Sequence, residues 1–343
     1  MTNQSSYLFS LTYPEVEKLA PEFPNYRYAQ LFNWIYKKRV FDLDRMTNIP
    51  GDFRNILKEK VIVDYPVIVE KETTSDNTTK FLFKLRDGNF IEAVIIDSVK
   101  RKTFCLSSQV GCPIRCRFCA SGMYGLTRNL DSGEITGQFL LLASFLKQLP
   151  DNVVFMGIGE PLLNFKNLMD SLNIICSEEY INFSQRRITI STSGIPDCIR
   201  KMTELKKQYN LAISLHAADD ITRAKLIPDK VRFQIKDIIE AAMEYFKKTG
   251  RLITIEYTLI KGINDSLLQA RELAGIAKKL RAKINLIPYN VVKDREFARP
   301  ENSVCFSFYR KLKELGTLVT FRLEKGSNIN AACGQLRANK TSE

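Results

Sequence analysis

Three closely spaced cysteines carry the clearest chemical signal in this sequence. Cys112, Cys116 and Cys119 form a C-x3-C-x2-C pattern on one short segment. Cysteine thiolates hold iron–sulfur clusters, and a [4Fe–4S] cube has four irons to ligate. Three thiolates therefore leave one iron open to chelate the amino and carboxylate groups of S-adenosylmethionine. The pattern predicts a [4Fe–4S] cluster that passes an electron to the sulfonium of that molecule.

This spacing is typical of radical-SAM enzymes, and a structural zinc site is the alternative. Tetrahedral zinc would need a fourth cysteine or a histidine at a typical spacing. The chain has a single histidine, His216, and no cysteine or histidine lies between Cys119 and Cys176. The cluster is therefore the favoured interpretation, and a structural metal remains the competing one.

A second motif, Gly157-Ile158-Gly159-Glu160, suits a ligand that carries an ammonium group. Glycines allow the backbone to approach a ligand closely, and Glu160 can add charge-assisted hydrogen bonds. A tight connection between a strand and a helix would explain this turn equally well on its own. Because the cysteine segment lies one predicted strand earlier, we favour binding of S-adenosylmethionine by Gly159 and Glu160.

The elements that position these motifs are alternating strands and helices, beginning near residue 102. The predicted strands cover 103–107, 153–156, 187–192, 211–215, 253–259 and 284–288, and the predicted helices cover 134–145, 168–176, 197–207, 235–247, 267–280 and 304–315. Such alternation predicts parallel β/α units. Six units would form a partial (β/α)6 TIM-type barrel, and an open doubly wound sheet is the other option.

Polar residues at the ends of the predicted strands favour the barrel. Ser191, Ser214 and His216 end the third and fourth strands, and Asn290 follows the sixth. Barrel active sites gather at the carboxyl ends of the strands, so these side chains would face one mouth. The serines and Asn290 could hold ribose and methionine groups of the cofactor, or could simply satisfy backbone groups. His216 could likewise contact the ligand or be structural.

Composition narrows the protein class. The chain has 343 residues, with 51 Lys and Arg against 38 Asp and Glu, a net charge of +13. Such an excess favours a polyanionic partner, through phosphate contacts and counterion release. The sequence shows neither a targeting segment nor a long apolar stretch, and eight cysteines in a chain of this length do not suggest a secreted disulfide scaffold. We expect a soluble cytoplasmic protein with no membrane segment.

The sequence divides into four predicted regions. Residues 1–70 form a helical RNA-binding accessory domain, 71–97 a β-meander connector, 98–336 the radical-SAM core and 337–343 a basic tail. The first region has apolar residues at helical spacing followed by Lys37-Lys38-Arg39. The meander has strands near 81–85 and 90–96 around a turn at Asp87-Gly88.

Taken together, these segments resemble the RlmN/Cfr family of radical-SAM RNA methyltransferases. The matching segments are 26–38, 105–112, 118–122, 128–130, 157–164, 191–194, 214–216, 285–290 and 331–336. They span nearly the whole chain. The resemblance implies that Ser214, Leu215 and His216 bind S-adenosylmethionine together with Gly159, Glu160, Ser191 and Asn290, and that two molecules are used in each turnover.

The resemblance also implies roles for residues outside the cluster segment. Cys333 corresponds to the cysteine that receives a methyl group from the first S-adenosylmethionine and carries it to the base. Cys105 corresponds to the cysteine that then releases the methylated RNA, and Glu92 to the proton acceptor. The two thiols must come within disulfide-like distance, and a disulfide between them is expected. Without the resemblance, both cysteines would be interpreted as small buried hydrophobic residues.

The family contains two types of enzyme, and this chain is more similar to the RlmN type. That type methylates carbon 2 of an adenosine in the peptidyl-transferase centre of 23S rRNA, and many members also methylate the adenosine 3′ to the anticodon in some tRNAs. The Cfr type methylates carbon 8 of the same rRNA base. Asn328-Ile329-Asn330 replaces the usual Asp-Ile-Asp, which leaves substrate choice open.

The resemblance further implies a low-potential electron donor such as flavodoxin or ferredoxin, and we expect a monomer. The competing function is an RNA-binding protein without catalysis, in which the three cysteines hold a structural metal. Such a protein would need neither S-adenosylmethionine nor a reductant.

Overall fold

A computed structural model describes residues 7–228, 232–293, 295–322, 326 and 329–337. Asn328 and all of the predicted basic tail except Arg337 lie outside the described residues. Among the described residues, no helix combines the length and the apolar content needed to cross a bilayer.

A helical module precedes the sheet domain and is joined to it by hydrogen bonds. Its helices are α1 (Tyr13–Leu19), α2 (Asn25–Phe32), a π-helical turn (Asn33–Lys38) and α3 (Gly51–Lys60). A capping box starts α1, because the Thr12 N–H donates to the Glu15 carboxylate at 2.7 Å. The Tyr13 N–H donates to the Tyr180 hydroxyl at 2.8 Å, and Arg39 donates to the Ala143 carbonyl at 3.0 Å. These contacts fix the module against the sheet domain.

Three antiparallel strands follow the module: β1 (Val67–Thr73), β2 (Thr78–Lys84) and β3 (Phe90–Ser98). The sequence predicted only the last two, and the region assigned to the helical module extended into β1. That strand was missed because it is an edge strand with little buried surface, so its side chains show no apolar alternation.

Strand β3 pairs with β4 (Arg101–Cys105), which starts a run of parallel strands. A separate hairpin, β5 (Gln109–Gly111) and β6 (Leu126–Asn129), encloses the cysteine segment. The other parallel strands are β7 (Asn152–Phe155), β8 (Ile188–Thr192), β9 (Asn210–Ser214), β10 (Ile253–Leu259), β11 (Lys283–Pro288) and β12 (Leu318–Phe321). The connecting helices are α4 (Ser132–Leu146), α5 (Phe165–Cys176), α6 (Pro196–Glu204), α7 (Asp220–Leu226), α8 (Ile235–Thr249), α9 (Leu267–Leu280) and α10 (Asn302–Glu314).

The strand order identifies a partial barrel rather than a doubly wound sheet. From β4 to β12 the strands of the main sheet lie side by side in chain order, with no reversal. A doubly wound sheet requires such a reversal. In the described residues β1 and β12 are the two edges, so the barrel is open. The six predicted strands and six predicted helices are all present within a few residues, whereas the hairpin, β12 and α7 were not predicted.

The sheet is also strongly curved. Arg322, directly after β12, and Cys105, at the end of β4, line the same small cavity. In a flat sheet, the six steps from β4 to β12 would separate these strands by roughly 30 Å. The curvature therefore brings the two ends of the parallel run together.

Candidate active site

The cysteine segment is a loop held at its ends and along its length by backbone hydrogen bonds. The Cys112 N–H donates to the Gly125 carbonyl at 2.8 Å, which closes the hairpin. The Arg117 N–H donates to Leu226 at 2.9 Å, and the Ala120 N–H donates to Gly334 at 2.8 Å. The last contact joins the loop directly to the segment that contains Cys333.

The three loop thiols are half-buried and line one pocket at the mouth of the barrel. Burial raises the pKa of Cys112 to about 12, and the charge of Cys119 adds to this effect. Burial also raises the pKa of Cys116 and of Cys119. Thiolates in this setting need a strong positive charge beside them, which bound iron supplies. The donor set therefore fits a cluster held by three cysteines.

No group of three or more His, Cys, Asp or Glu side chains in the described part of the chain surrounds a position for a single metal ion. The thiolates of a cubane cluster ligate different irons, so the cluster does not need such an arrangement.

The glycines of the second motif are required by packing against the neighbouring chain. A Cβ on Gly157 would lie 2.6 Å from the Ser107 Oγ, and a Cβ on Gly159 would lie 2.6 Å from the Gln109 Cβ. Gly159 also has a φ of 109°, which other residues rarely adopt. The two glycines therefore let this turn lie directly against residues 106–109, in addition to lining the pocket.

Glu160 is buried and held by backbone donors. Its Oε2 accepts from the Ser193 N–H at 2.7 Å, and its Oε1 accepts from the Leu162 N–H at 3.2 Å. Burial raises the pKa of Glu160, while these hydrogen bonds act in the opposite direction. The carboxylate thus has a fixed position in the wall of the pocket, where it can receive an ammonium group.

Ser191, Ser214 and His216 lie around the same pocket, as expected for strand-end residues. The two serine hydroxyls are 3.3 Å apart. The His216 Nδ1 accepts from the Thr258 N–H at 3.1 Å, so Nε2 carries the proton of the neutral ring. Burial lowers the pKa of His216 to about 3, and Arg223 adds to this effect. The histidine is therefore a neutral hydrogen-bond donor.

Two of the predicted cofactor contacts do not line this pocket. Leu215 is buried in the core, and its carbonyl accepts from the Arg223 side chain. Asn290 lines a second, smaller cavity, and its side-chain amide donates to the Cys333 carbonyl at 3.0 Å. In this structure Asn290 therefore orients the segment that carries Cys333.

The second cavity contains the two cysteines that the sequence separates most widely. Cys105 and Cys333 both line it, and Cys333 also lines the first pocket. Both are free thiols, so the expected disulfide is not present between them. Burial raises the pKa of Cys105 to about 12.

Glu92 lies on β3, next to the residues that line the second cavity. It is buried, and its Oε1 is 3.3 Å from the Lys80 ammonium. Its Oε2 accepts from the Arg337 N–H at 2.6 Å. Burial raises the pKa of Glu92 to about 7, although Lys80 lowers it. A carboxyl group with this pKa can exchange a proton near neutral pH.

Two charged residues at this site were not predicted from the sequence. Glu256 is the one charged residue of strand β10 and lines the first pocket, and Arg322 lines the second cavity. A carboxylate inside a predicted buried strand was the available signal for Glu256. No comparable signal pointed to Arg322, since its position depends on the curvature of the sheet.

Comparisons with known proteins agree with this geometry. Residues 106–274 match the radical SAM superfamily, and residues 9–63 match the ribosomal RNA large subunit methyltransferase N-terminal domain. Two relatives carry the name "Probable dual-specificity RNA methyltransferase RlmN". The protein from Akkermansia muciniphila is 43% identical, and the match covers 93% of this chain and 91% of that protein. The protein from a Thermotoga species is 42% identical, and the match covers 96% of this chain and 97% of that protein. The crystal structure of a radical SAM methyltransferase from Sphaerobacter thermophilus is 40% identical and superposes with a TM-score of 0.93, covering 97% of this chain and all of that one.

Proposed function

This chain belongs to the RlmN family of radical-SAM RNA methyltransferases, and on that premise we propose that it methylates carbon 2 of an adenosine in 23S rRNA. We assign this adenosine to the peptidyl-transferase centre and include the adenosine 3′ to the anticodon of some tRNAs as a second substrate. The dual specificity in the names of the relatives supports two RNA substrates.

The family uses S-adenosylmethionine and a [4Fe–4S] cluster, which Cys112, Cys116 and Cys119 would hold here. When bound, the cluster supplies an electron that converts S-adenosylmethionine into a source of the 5′-deoxyadenosyl radical. Glu160 would orient the methionine ammonium group, and Ser191 and Ser214 would bind its remaining polar groups. A flavodoxin or ferredoxin would deliver the electron.

One observation carries the proposal: Cys333 lines both the pocket of the cluster cysteines and the cavity of Cys105. A residue that shuttles a methyl group must reach the cofactor and the second thiol. Asn290 and the contact from Ala120 to Gly334 hold the Cys333 segment at this junction. This position supports a methyl-carrying role for Cys333.

The chemistry of the base explains why a carrier is useful. Carbon 2 of adenine lies between two ring nitrogens and is electron-poor, so it cannot attack an electrophilic methyl group. A carbon radical on the methylated Cys333 can add to it instead, which links RNA and protein. Glu92 would accept the proton lost from carbon 2, and the electron left over would return to the centre that supplied it. The Cys105 thiolate would then attack the Cys333 sulfur, so that an S–S bond forms while the S–C bond to the product breaks and the released carbon takes up a proton.

The test is mass spectrometry of nucleosides from rRNA and tRNA of a strain that lacks this protein, complemented with the native chain or with Cys333→Ala. We expect 2-methyladenosine to return only with the native chain. The appearance of 8-methyladenosine would assign the Cfr-type reaction instead. If neither 2-methyladenosine nor 8-methyladenosine returns with the native chain, and the purified chain still binds RNA, the non-catalytic alternative is supported.

A further inference from the structure

The second cavity, which is lined by Cys105 and Cys333, is also lined by Arg322, an arginine with no role in the proposed reaction so far. Arg322 follows β12, and its backbone N–H donates to the Leu286 carbonyl at 2.9 Å. This contact fixes the start of the side chain, which lines the cavity together with Cys105 and Cys333. A guanidinium group is always charged in proteins, so a permanent cation faces two potential anions.

More potential anions than cations surround Arg322. The negative charge of Cys333 raises the pKa of Arg322 more than any other group does, and Glu256 and Cys105 act in the same direction. Glu256 is buried, and its Oε2 accepts from the Asn285 amide at 2.7 Å, so this carboxylate has a fixed position. One cation thus interacts electrostatically with two thiols and one carboxylate.

The two thiols compete within this cavity. Burial raises the pKa of Cys105, the charge of Cys333 raises it further, and Arg322 lowers it. Two adjacent thiolates in a low-dielectric cavity repel each other strongly. A single guanidinium can offset one of these charges, which favours one thiolate at a time.

We propose that Arg322 is a shared positive charge that stabilises first the thiolate of Cys333 and then, after Cys333 has been methylated, the thiolate of Cys105. The order of these events rests on the proposed function. Arg322 would act through the two sulfurs, so it is a positioning residue for both nucleophiles.

The first step is the methylation of Cys333. Cys333 loses its proton to water, and its thiolate forms a bond to the methyl carbon while the bond from that carbon to the sulfonium breaks. S-adenosylhomocysteine leaves with the electron pair of the broken bond, and nothing is oxidised or reduced. A thiolate becomes a neutral thioether, so Arg322 is left with Cys105 as the only ionisable sulfur in the cavity.

Chemical modification of the two thiols tests the role of Arg322 without measuring RNA methylation. The reconstituted holoenzyme, without RNA and under anaerobic conditions, is treated with methyl methanethiosulfonate from neutral to alkaline pH. Mass spectrometry then follows modification of Cys105 and Cys333. The charged groups that act on Cys105 are Cys333 and Arg322, and Glu256 acts on Arg322. Glu92, paired with Lys80, lies on β3, the strand that pairs with the end of β4 at Cys105.

We expect Arg322→Gln to slow modification of both thiols at neutral pH, by about tenfold for Cys105, whose pKa the guanidinium lowers. Arg322→Lys, which keeps the charge, should restore most of the rate. Cys333→Ser imitates the neutral methylated state and should accelerate modification of Cys105 by a similar factor. Cys176 and Cys198 lie elsewhere on helices and provide internal controls, and Lys278→Gln is a charge control on the exposed end of α9.

Unchanged modification rates and pH profiles of both thiols in Arg322→Gln would overturn the proposal. If Arg322→Gln fails to fold, as judged by circular dichroism and cluster absorbance, Cys333→Ser decides the question with the arginine intact. If the modification rates of Cys105 and Cys333 depend on Arg322 as expected but the native chain does not methylate RNA, only the proposed function is refuted. Normal methylation with thiol rates independent of Arg322 would refute the inference alone.

Discussion

The two cavities at the barrel mouth are built in different ways. The first pocket takes its three thiols from one short loop and its polar groups from the ends of successive strands, β7, β8 and β9. The second cavity takes Cys105 from β4 and Arg322 from the end of β12, at opposite ends of the parallel run. The first depends on local spacing, whereas the second depends on the curvature of the whole sheet.

This difference separates two kinds of chemistry. A local loop can hold a cluster even if the rest of the barrel moves slightly, because its ligands share one backbone segment. The paired thiols need the sheet, the segment after β12 and the contact from Asn290 to Cys333 to be correct at the same time. Cys333 lines both cavities and, under the proposed function, is the residue at which the two chemistries would meet.

The largest effect should come from the first pocket. Replacing Cys112, Cys116 or Cys119 with alanine should abolish the cluster absorbance and the reductive cleavage of S-adenosylmethionine, because each thiolate would ligate one iron of the proposed cluster. Cys176→Ala, on a helix remote from the mouth, is the control. A triple alanine variant that still cleaves S-adenosylmethionine would refute the radical-SAM chemistry for this loop.

In the second cavity, alanine at either cysteine should eliminate the methylated product, but with opposite fates for the RNA. Cys333→Ala should give no covalent adduct, because no methyl carrier exists. Cys105→Ala should accumulate RNA linked to Cys333, because the release step is lost. A denaturing gel with labelled RNA under reducing anaerobic conditions distinguishes the two. Normal turnover by Cys105→Ala, or a cross-link to another residue, would contradict the mechanism.

Glu92 should have a smaller effect that depends on pH. A proton acceptor must be ionised, and burial raises the pKa of Glu92 to about 7. The rate of methylation should therefore fall about tenfold for each pH unit below that value. Glu92→Gln should lower the rate by about 10²–10⁴-fold and remove this pH dependence.

Glu72→Gln is the matched control for Glu92, because Glu72 also pairs with Lys80, at 3.6 Å, but is more exposed. It should retain the native pH profile of the methylation rate. An unchanged acid limb in Glu92→Gln would assign the proton acceptor to another group.

The smallest effect should arise outside both cavities. Lys37 and Lys38 are exposed on the helical module, whereas Arg27 and Arg39 donate to carbonyl groups of the protein. Replacing both lysines with alanine should weaken RNA binding and reduce the slope of log K against log salt by about 1–2. Cleavage of S-adenosylmethionine without RNA should persist.

The exposed pair Lys278 and Lys279, at the end of α9, is the matched control for these lysines. An identical salt slope in the Lys37 and Lys38 variant and in this control would place the RNA surface elsewhere.

Much of the first pocket was predictable from the sequence. The spacing of Cys112, Cys116 and Cys119 predicted their shared loop, and the strand-end rule predicted that Glu160, Ser191, Ser214 and His216 face one mouth. The side chain of Leu215 lies in the core where the chain turns at His216, which has a φ of 59°, so its predicted contact with the cofactor stays a prediction. The tight glycine turn was predicted, but its packing against 106–109 was not.

The second cavity shows where sequence reasoning ends. The type and order of the strands from β4 to β11 follow from the alternation of apolar segments with helices, since each unit is specified by its own residues. The proximity of Cys105, Arg322 and Cys333 in one cavity does not follow from the local sequence. It was expected for the two cysteines only through the family resemblance. Each strand adds a small twist, and the sum of these twists over the sheet sets the distance between its ends. Local sequence determined the parts of this site, and the accumulated curvature of the sheet decided which of them touch.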